Sequence, residues 1–172
     1  MSITNIEIKA RSYKQDAIRD ILRELGAEFR GTDYQTDTYY KVSCGRLKLR
    51  RGNIENQLIF YERANQEGPK QADVLLCPAI PGSDLGEILA RALGILVVVD
   101  KVREIYYKEN VKFHIDHVKG LGSFVEIEAI DKEGTIGRDI LLKQCNHYLN
   151  LFGIAAEELV SVSYSDLLLA EH

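Results

Sequence analysis

The stretch Val125-Glu126-Ile127-Glu128-Ala129-Ile130, "VEIEAI", sets two carboxylates two positions apart inside an otherwise apolar run. Alternate residues of a strand share a face, so Glu126 and Glu128 point one way and Val125, Ile127 and Ala129 the other. The opening of the chain repeats the pattern. In "NIEIKAR", residues 5–11, Asn5, Glu7, Lys9 and Arg11 alternate with Ile6, Ile8 and Ala10. Two environments account for such strands: a sheet wetted on one side, or a closed barrel with charge on its inside.

The other strand-like stretches decide between them. "GRLKLRR" offers Arg46, Lys48 and Arg50 on one face, and "IFYER" offers Tyr61 and Arg63. A long run over 95–108 offers Lys101 and Arg103, and "VKFHID" offers Lys112, His114 and Asp116. These polar faces are nearly all ionised and mostly basic, with the carboxylates on the first and the last two strands. Merely wetted strands carry more Thr and Ser. Lys and Arg gathered inside a protein repel one another unless an anion is expected among them. A polyphosphate suits, because Arg forks onto phosphate oxygens and Lys meets them as a point charge. The carboxylates would then hold Mg²⁺ or Mn²⁺ against the phosphates.

Bulk composition agrees. A chain of 172 residues with 45% hydrophobic and 28% charged content is read as one soluble domain, residues 1–172. The net charge of −4 argues against a nucleic-acid partner. Cys44, Cys77 and Cys145 show no ligand or redox spacing and read as reduced thiols in a cytoplasmic protein. No apolar run reaches membrane-spanning length, and the N-terminus lacks a signal layout.

Periodicity supplies the order of elements. A strand over residues 3–11 leads to a helix with Ile18, Ile21, Leu22 and Leu25 at helical spacing; Ser12 and Gln15 suggest a capping box. Strands follow in "DYQTDTYYKV", "GRLKLRR", "NQLIFYERA" and "ADVLLCPAI". "PGSD" opens a second helix with Leu85, Ile88, Leu89 and Ala92 on one face. Then come three more strands, a third helix carrying Leu141, Cys145, Tyr148, Leu149 and Phe152, and a short helix in "SYSDLLLAEH". The predicted class is α+β, with eight antiparallel strands.

In this order the motifs "NIEIKAR", "DTYY", "RLKLR", "YER", "DKVR", "FHIDHVKGLGSFVEIE" and "SYSDLL" resemble the CYTH superfamily, the triphosphate tunnel metalloenzymes. They look most like its class IV adenylate cyclase, or CyaB-like, branch. The resemblance implies a closed eight-stranded antiparallel barrel with helices outside, binding a triphosphate and a divalent metal. Matched residue by residue, it implies metal ligation by Glu7, Glu126 and Glu128, with Asp116 beside them. It implies substrate binding by Lys9, Lys48, Arg50, Arg63, Lys101 and Arg103. Lys9, Arg63 and Lys101 are the expected catalytic cations, and Arg46 and Lys112 are placed by parity more than by motif. One departure stands out, for the first Glu of the family's ExExK signature is Asn5 here. The neutral amide weakens any metal site that relied on that carboxylate.

The expected activity is hydrolysis of a nucleoside or inorganic triphosphate, ranked over cyclisation of ATP to cyclic AMP. A non-catalytic module that binds polyphosphates is the remaining alternative. The expected partner is a triphosphate-containing small molecule, and a homodimer is compatible with this reading. His114 shares the inward parity, whereas His117, His147 and His172 form no constellation.

Overall fold

The computed structural model describes residues 2–171, so His172 lies outside the described residues. Eight strands form one closed antiparallel barrel: β1 (Ile3–Arg11), β2 (Glu28–Tyr40), β3 (Arg46–Arg51), β4 (Asn56–Arg63), β5 (Lys70–Pro78), β6 (Ile95–Lys108), β7 (Val111–Val118) and β8 (Gly122–Asp131). Their order around the wall is β1-β5-β4-β3-β2-β6-β7-β8, and β8 pairs back onto β1. Closure removes free sheet edges and gives every strand one inner and one outer face.

The outward apolar rows of β1, β7 and β8 are covered by helices α1 (Gln15–Glu24) and α3 (Arg138–Leu151). Ile18 and Leu22 of α1, with Leu141 and Cys145 of α3, pack on Ile6, Ile8, Phe113, Ile115, Val125 and Ile127. Phe113 meets Tyr148 edge-on with ring centroids 4.8 Å apart. This wall carries Glu7, Lys9, Glu126 and Glu128 on its inner side, so burying its outer side holds them in register.

The opposite outer wall is barer. On α2 (Leu85–Leu93) the predicted apolar face is mostly open, with Ile88 60% exposed beside exposed Leu93, Ile95 and Leu96. Two local expectations change as well. Ser12 and Gln15 form no capping box: the N-cap is Lys14, with no side-chain bond. The Gln15 amide instead donates to the Asp116 and Phe124 carbonyls, at 3.0 and 3.3 Å. β2 begins at Glu28, earlier than "DYQTDTYYKV" implied, because its first residues pair with Tyr106 and Tyr107 of the long β6. A register shift between Phe29 and Gly31, where Gly31 has φ 122°, lets the ladder continue.

One end of the barrel is covered. Residues 159–163 and helix α4 (Tyr164–Ala170) lie across it. Lys70 donates to the Ser161 carbonyl at 2.8 Å, Lys9 to the Val162 carbonyl at 3.4 Å, and Arg46 to Ser163 Oγ and Asp166. Tyr164 packs against Phe124, with Val118, Val99, Tyr39 and Tyr61 completing an apolar layer inside that end.

Candidate functional site

Strand register lines the interior. Lys9 stands opposite Glu126, and Glu7 opposite Glu128, across β1 and β8. His114 and Lys112 of β7 face Glu126 and Glu128 in turn, and Arg103 of β6 faces Asp116. Glu7, Lys9, Lys48, Arg50, Arg63, Lys101, Arg103, Glu126 and Glu128 all line one cavity. Most residues expected on the inner face by parity, Lys112 and His114 among them, line it as well, whereas Arg46 and Asp116 do not.

The electrostatics differ from a simple basic ring with acids at one side. Carboxylates are not confined to β1, β7 and β8, for Asp33 and Asp37 of β2 are fully buried and Glu55 folds in from the β3–β4 loop. Asp37 receives two bonds from Arg50, both 2.9 Å, and one from Lys101 at 2.7 Å; Lys48 lies 3.3 Å away. Burial opposes its charge, yet these three cations hold its carboxyl well below the usual range. Glu55 is likewise depressed against burial by Lys112, at 2.5 Å, and by Arg50. Sequence reading missed both acids. "DTYY" carried Asp37 on the inward parity of Tyr39, a signal that was present; Glu55 lies in a loop, where parity says nothing.

Asp33 explains how Glu55 reaches the site. Its oxygens accept from the Ile54 and Glu55 amides at 2.9 Å, and a Cβ on Gly52 would come within 2.4 Å of Asp33 Oδ1. The β3–β4 loop is thus clamped down with Glu55 over the interior.

Of the four expected metal ligands, three gather on β1 and β8. Burial raises the Glu128 carboxyl, Lys112 opposes the rise, and Glu7 and Glu126 add to it. Such crowding of like charge is what a divalent cation relieves. Asn5 donates its amide to Glu128 Oε1, and its own Oδ1 is buried with no partner among the described residues. Oxygen donors of this kind fit a hard cation.

Asp116 is engaged otherwise. Its two oxygens accept from Arg103 at 2.8 and 2.7 Å, and one also accepts from the Tyr164 hydroxyl at 2.7 Å. His114, Asp116 and Glu126 bring one ligand atom each within 4.8 Å of one another, but a cation there would have to displace Arg103. His114 Nδ1 lies 3.4 Å from Glu126; burial and Arg103 lower its pKa to about 4, with Glu126 opposing.

The cations are not equally engaged. Lys9 is 3.8 Å from Glu126, and burial lowers its pKa to about 8. Arg63 Nη1 donates to Glu7, but its Nε and Nη2 are buried with no acceptor among the described residues. Arg46 turns away to hold α4.

A closed antiparallel barrel with ionised groups on its inner face and hydrocarbon outside is the triphosphate tunnel fold. The chain belongs to the CYTH domain family, which matches residues 4–155. A Methanocaldococcus jannaschii protein named "Putative adenylate cyclase" is 24% identical over 171 residues, spanning 94% of this chain and 97% of its own. The structure of the PH1012 protein from Pyrococcus horikoshii OT3 superposes with a TM-score of 0.79 at 26% identity, covering 95% of this chain and 98% of that one. HpAC1 from Hippeastrum, an adenylyl cyclase candidate with a dominant triphosphatase activity, shares the fold at a TM-score of 0.63 and 16% identity, covering 97% of this chain and 96% of its own. Among the described residues no helix is long and apolar enough to cross a membrane.

Proposed function

We propose that the tunnel binds a triphosphate-bearing small molecule together with Mg²⁺ or Mn²⁺ and hydrolyses its phosphoanhydride. The observation that carries this reading is Arg63, whose Nε and Nη2 are buried without an acceptor among the described residues. A buried donor left unpaired is costly, more so when charged, and phosphate oxygens match the guanidinium fork. Lys9 and Lys101 converge on the same cavity and would share in holding the charge that builds on the departing phosphate. Lys48, Arg50 and Arg103 would bind the rest of the chain of phosphates, each already aimed by Asp37 or Asp116.

Glu7, Glu126 and Glu128 would hold the cation, which when bound neutralises phosphate charge and orients the attacking oxygen. Asn5 Oδ1 is a further neutral donor beside them. In this proposal Asp116 orients Arg103 and is not a metal ligand. The reaction needs neither nucleic acid nor membrane. We place the protein in the cytoplasm, where Cys44, Cys77 and Cys145 stay reduced. The bare outer wall around α2 leaves room for a homodimer.

Cyclisation of ATP is the second reading, favoured by the name of the M. jannaschii relative. The test is to incubate the protein with ATP and with inorganic triphosphate, each with Mg²⁺ or Mn²⁺, and to separate the products by chromatography. Orthophosphate, lost in Glu126→Gln, is the expected result. Cyclic AMP with pyrophosphate would make the protein a cyclase, and no product from either would leave a binding module.

A further inference from the structure

Three of the side chains lining the cavity keep buried polar atoms with no partner among the described residues. They are Arg63 at Nε and Nη2, Asn5 at Oδ1 and His114 at Nε2. Such atoms are rare and costly, so each calls for a partner from outside the protein. Arg63 offers hydrogens, and an ionised phosphate accepts them. Whether His114 does the same depends on which ring nitrogen carries its hydrogen.

The surroundings decide it. Nδ1 lies 3.4 Å from Glu126 Oε2, and against burial Lys9 and Arg103 hold that carboxyl ionised. A carboxylate only accepts, so the ring hydrogen sits on Nδ1 and points at Glu126. Burial, with Arg103 and Lys112, opposes a second proton, which Glu126 alone favours. What remains at Nε2 is a bare lone pair, in a residue only 2% exposed. Phosphate oxygens are acceptors too and cannot satisfy it. The two ring nitrogens point apart, so a cation bound at Glu126 would not meet Nε2 either. The partner it needs carries a hydrogen.

Position narrows the choice. Lys9, Glu126 and His114 stand side by side on β1, β8 and β7. Two of the three are proposed to meet the reacting phosphates, Lys9 directly and Glu126 through the cation. A donor on Nε2 is thereby next to phosphorus, where hydrolysis needs its water. Phosphoryl transfer draws chiefly on positioning and charge stabilisation, so a group that orients the nucleophile suffices. We infer that His114 Nε2 accepts a hydrogen bond from the attacking water and aims its oxygen at phosphorus. A P–O bond to that water forms, and the phosphoanhydride breaks with its electron pair leaving on the departing phosphate. The water's hydrogens both end on the orthophosphate formed, and the ring neither keeps nor loses a proton. This rests on the proposed hydrolysis and names the group that orients its nucleophile.

Two substitutions separate the two ring nitrogens. In His114→Asn the amide nitrogen stands in for Nδ1 and the acceptor at Nε2 is lost. In His114→Gln the longer amide returns an oxygen to the Nε2 position. Hydrolysis of ATP and of inorganic triphosphate is followed with Mn²⁺, and calorimetry measures binding of Mn²⁺ and of an uncleavable methylene-bridged triphosphate. His114→Asn is expected to lower kcat about 100-fold, with KM and both dissociation constants within about twofold of wild type. His114→Gln is expected to recover about tenfold of that loss, and the retained binding shows that both variants fold. Full activity in His114→Asn would mean that Nε2 faces only a space-filling water, and overturns the inference. Weaker Mn²⁺ binding in His114→Asn overturns it by making His114 a metal ligand, and a Gln variant as slow as the Asn variant also overturns it. Wild type that hydrolyses neither compound overturns the proposed hydrolysis, and this inference with it.

Discussion

Asp37 and Arg50 are joined across β2 and β3 by two parallel hydrogen bonds of 2.9 Å, and Asp37 Oδ2 also accepts from Lys101 of β6. One buried carboxylate thus ties cations from two neighbouring strands into a fixed array. Viewed from sequence alone, removing Lys101 and Arg103 should relieve repulsion and stabilise the fold. The observed pairs reverse that expectation, because each loss strands a buried acid, Asp37 or Asp116.

Asp37→Asn should therefore lower the unfolding free energy by about 3 kcal/mol, the scale for breaking a buried ion pair. Urea unfolding followed by circular dichroism measures it. A loss under about 0.5 kcal/mol, within the range of an exposed pair, would mean that the array is not formed in solution.

Acid should expose the same dependence. Asp37 and Glu55 both titrate below their ordinary values of 3.8 and 4.5 in the folded state. The unfolded chain therefore takes up protons first as pH falls. Their contribution is complete above about pH 5, roughly a unit over the unfolded carboxylate range, and drains away below it. Melting temperature should drop steeply from pH 5 to pH 3. Glu55→Gln should start lower at pH 7 and fall less over that interval; parallel curves would remove Glu55 from the linkage.

Strand parity made the fold and most of the site legible. Lys48, Arg50, Lys101 and Glu126 could be placed inside because a period of two leaves no third option once the outer face is apolar. What parity could not supply is which partners meet across the lumen. Asp116 was expected beside Glu126, and their oxygens do lie within 4.8 Å of each other. Parity could not tell that Arg103 would hold both Asp116 oxygens, or that Tyr164 would reach it from a helix 48 residues on. Glu55 depended on a loop clamped by Asp33, a contact with no periodic signature. On α2, spacing identified the helix but could not tell that its apolar face stays largely uncovered.

Arg63→Lys keeps the charge and removes the fork. It should weaken inorganic triphosphate binding about tenfold, near 1.4 kcal/mol, in a calorimetric titration. An unchanged dissociation constant would take Arg63 out of the anion site.

Asn5→Glu exchanges an amide that donates to Glu128 for a third carboxylate beside Glu7 and Glu128. Without metal, the melting temperature should fall by several degrees. With Mn²⁺ the variant should gain more than wild type, since added negative charge strengthens the hold on a cation. Superimposable Mn²⁺ titrations of the two proteins would mean that position 5 takes no part in metal binding.

β1 carries both seams of the barrel, pairing with β5 on one edge and with β8 on the other. Ile6 meets Ala129 there, across most of the length of the chain. Contacts so distant in sequence make slow folding, since loop closure must precede the reward. Glu7 and Lys9 sit on that strand and Glu126 and Glu128 on its partner, so the candidate site is incomplete until that seam forms. A chain without that seam keeps the cations of β3, β4 and β6 but lacks Lys9 and the three glutamates beside them. A ligand that needs both groups would bind the closed barrel in preference to the open one. It would then resist unfolding in proportion to the logarithm of its concentration over its dissociation constant.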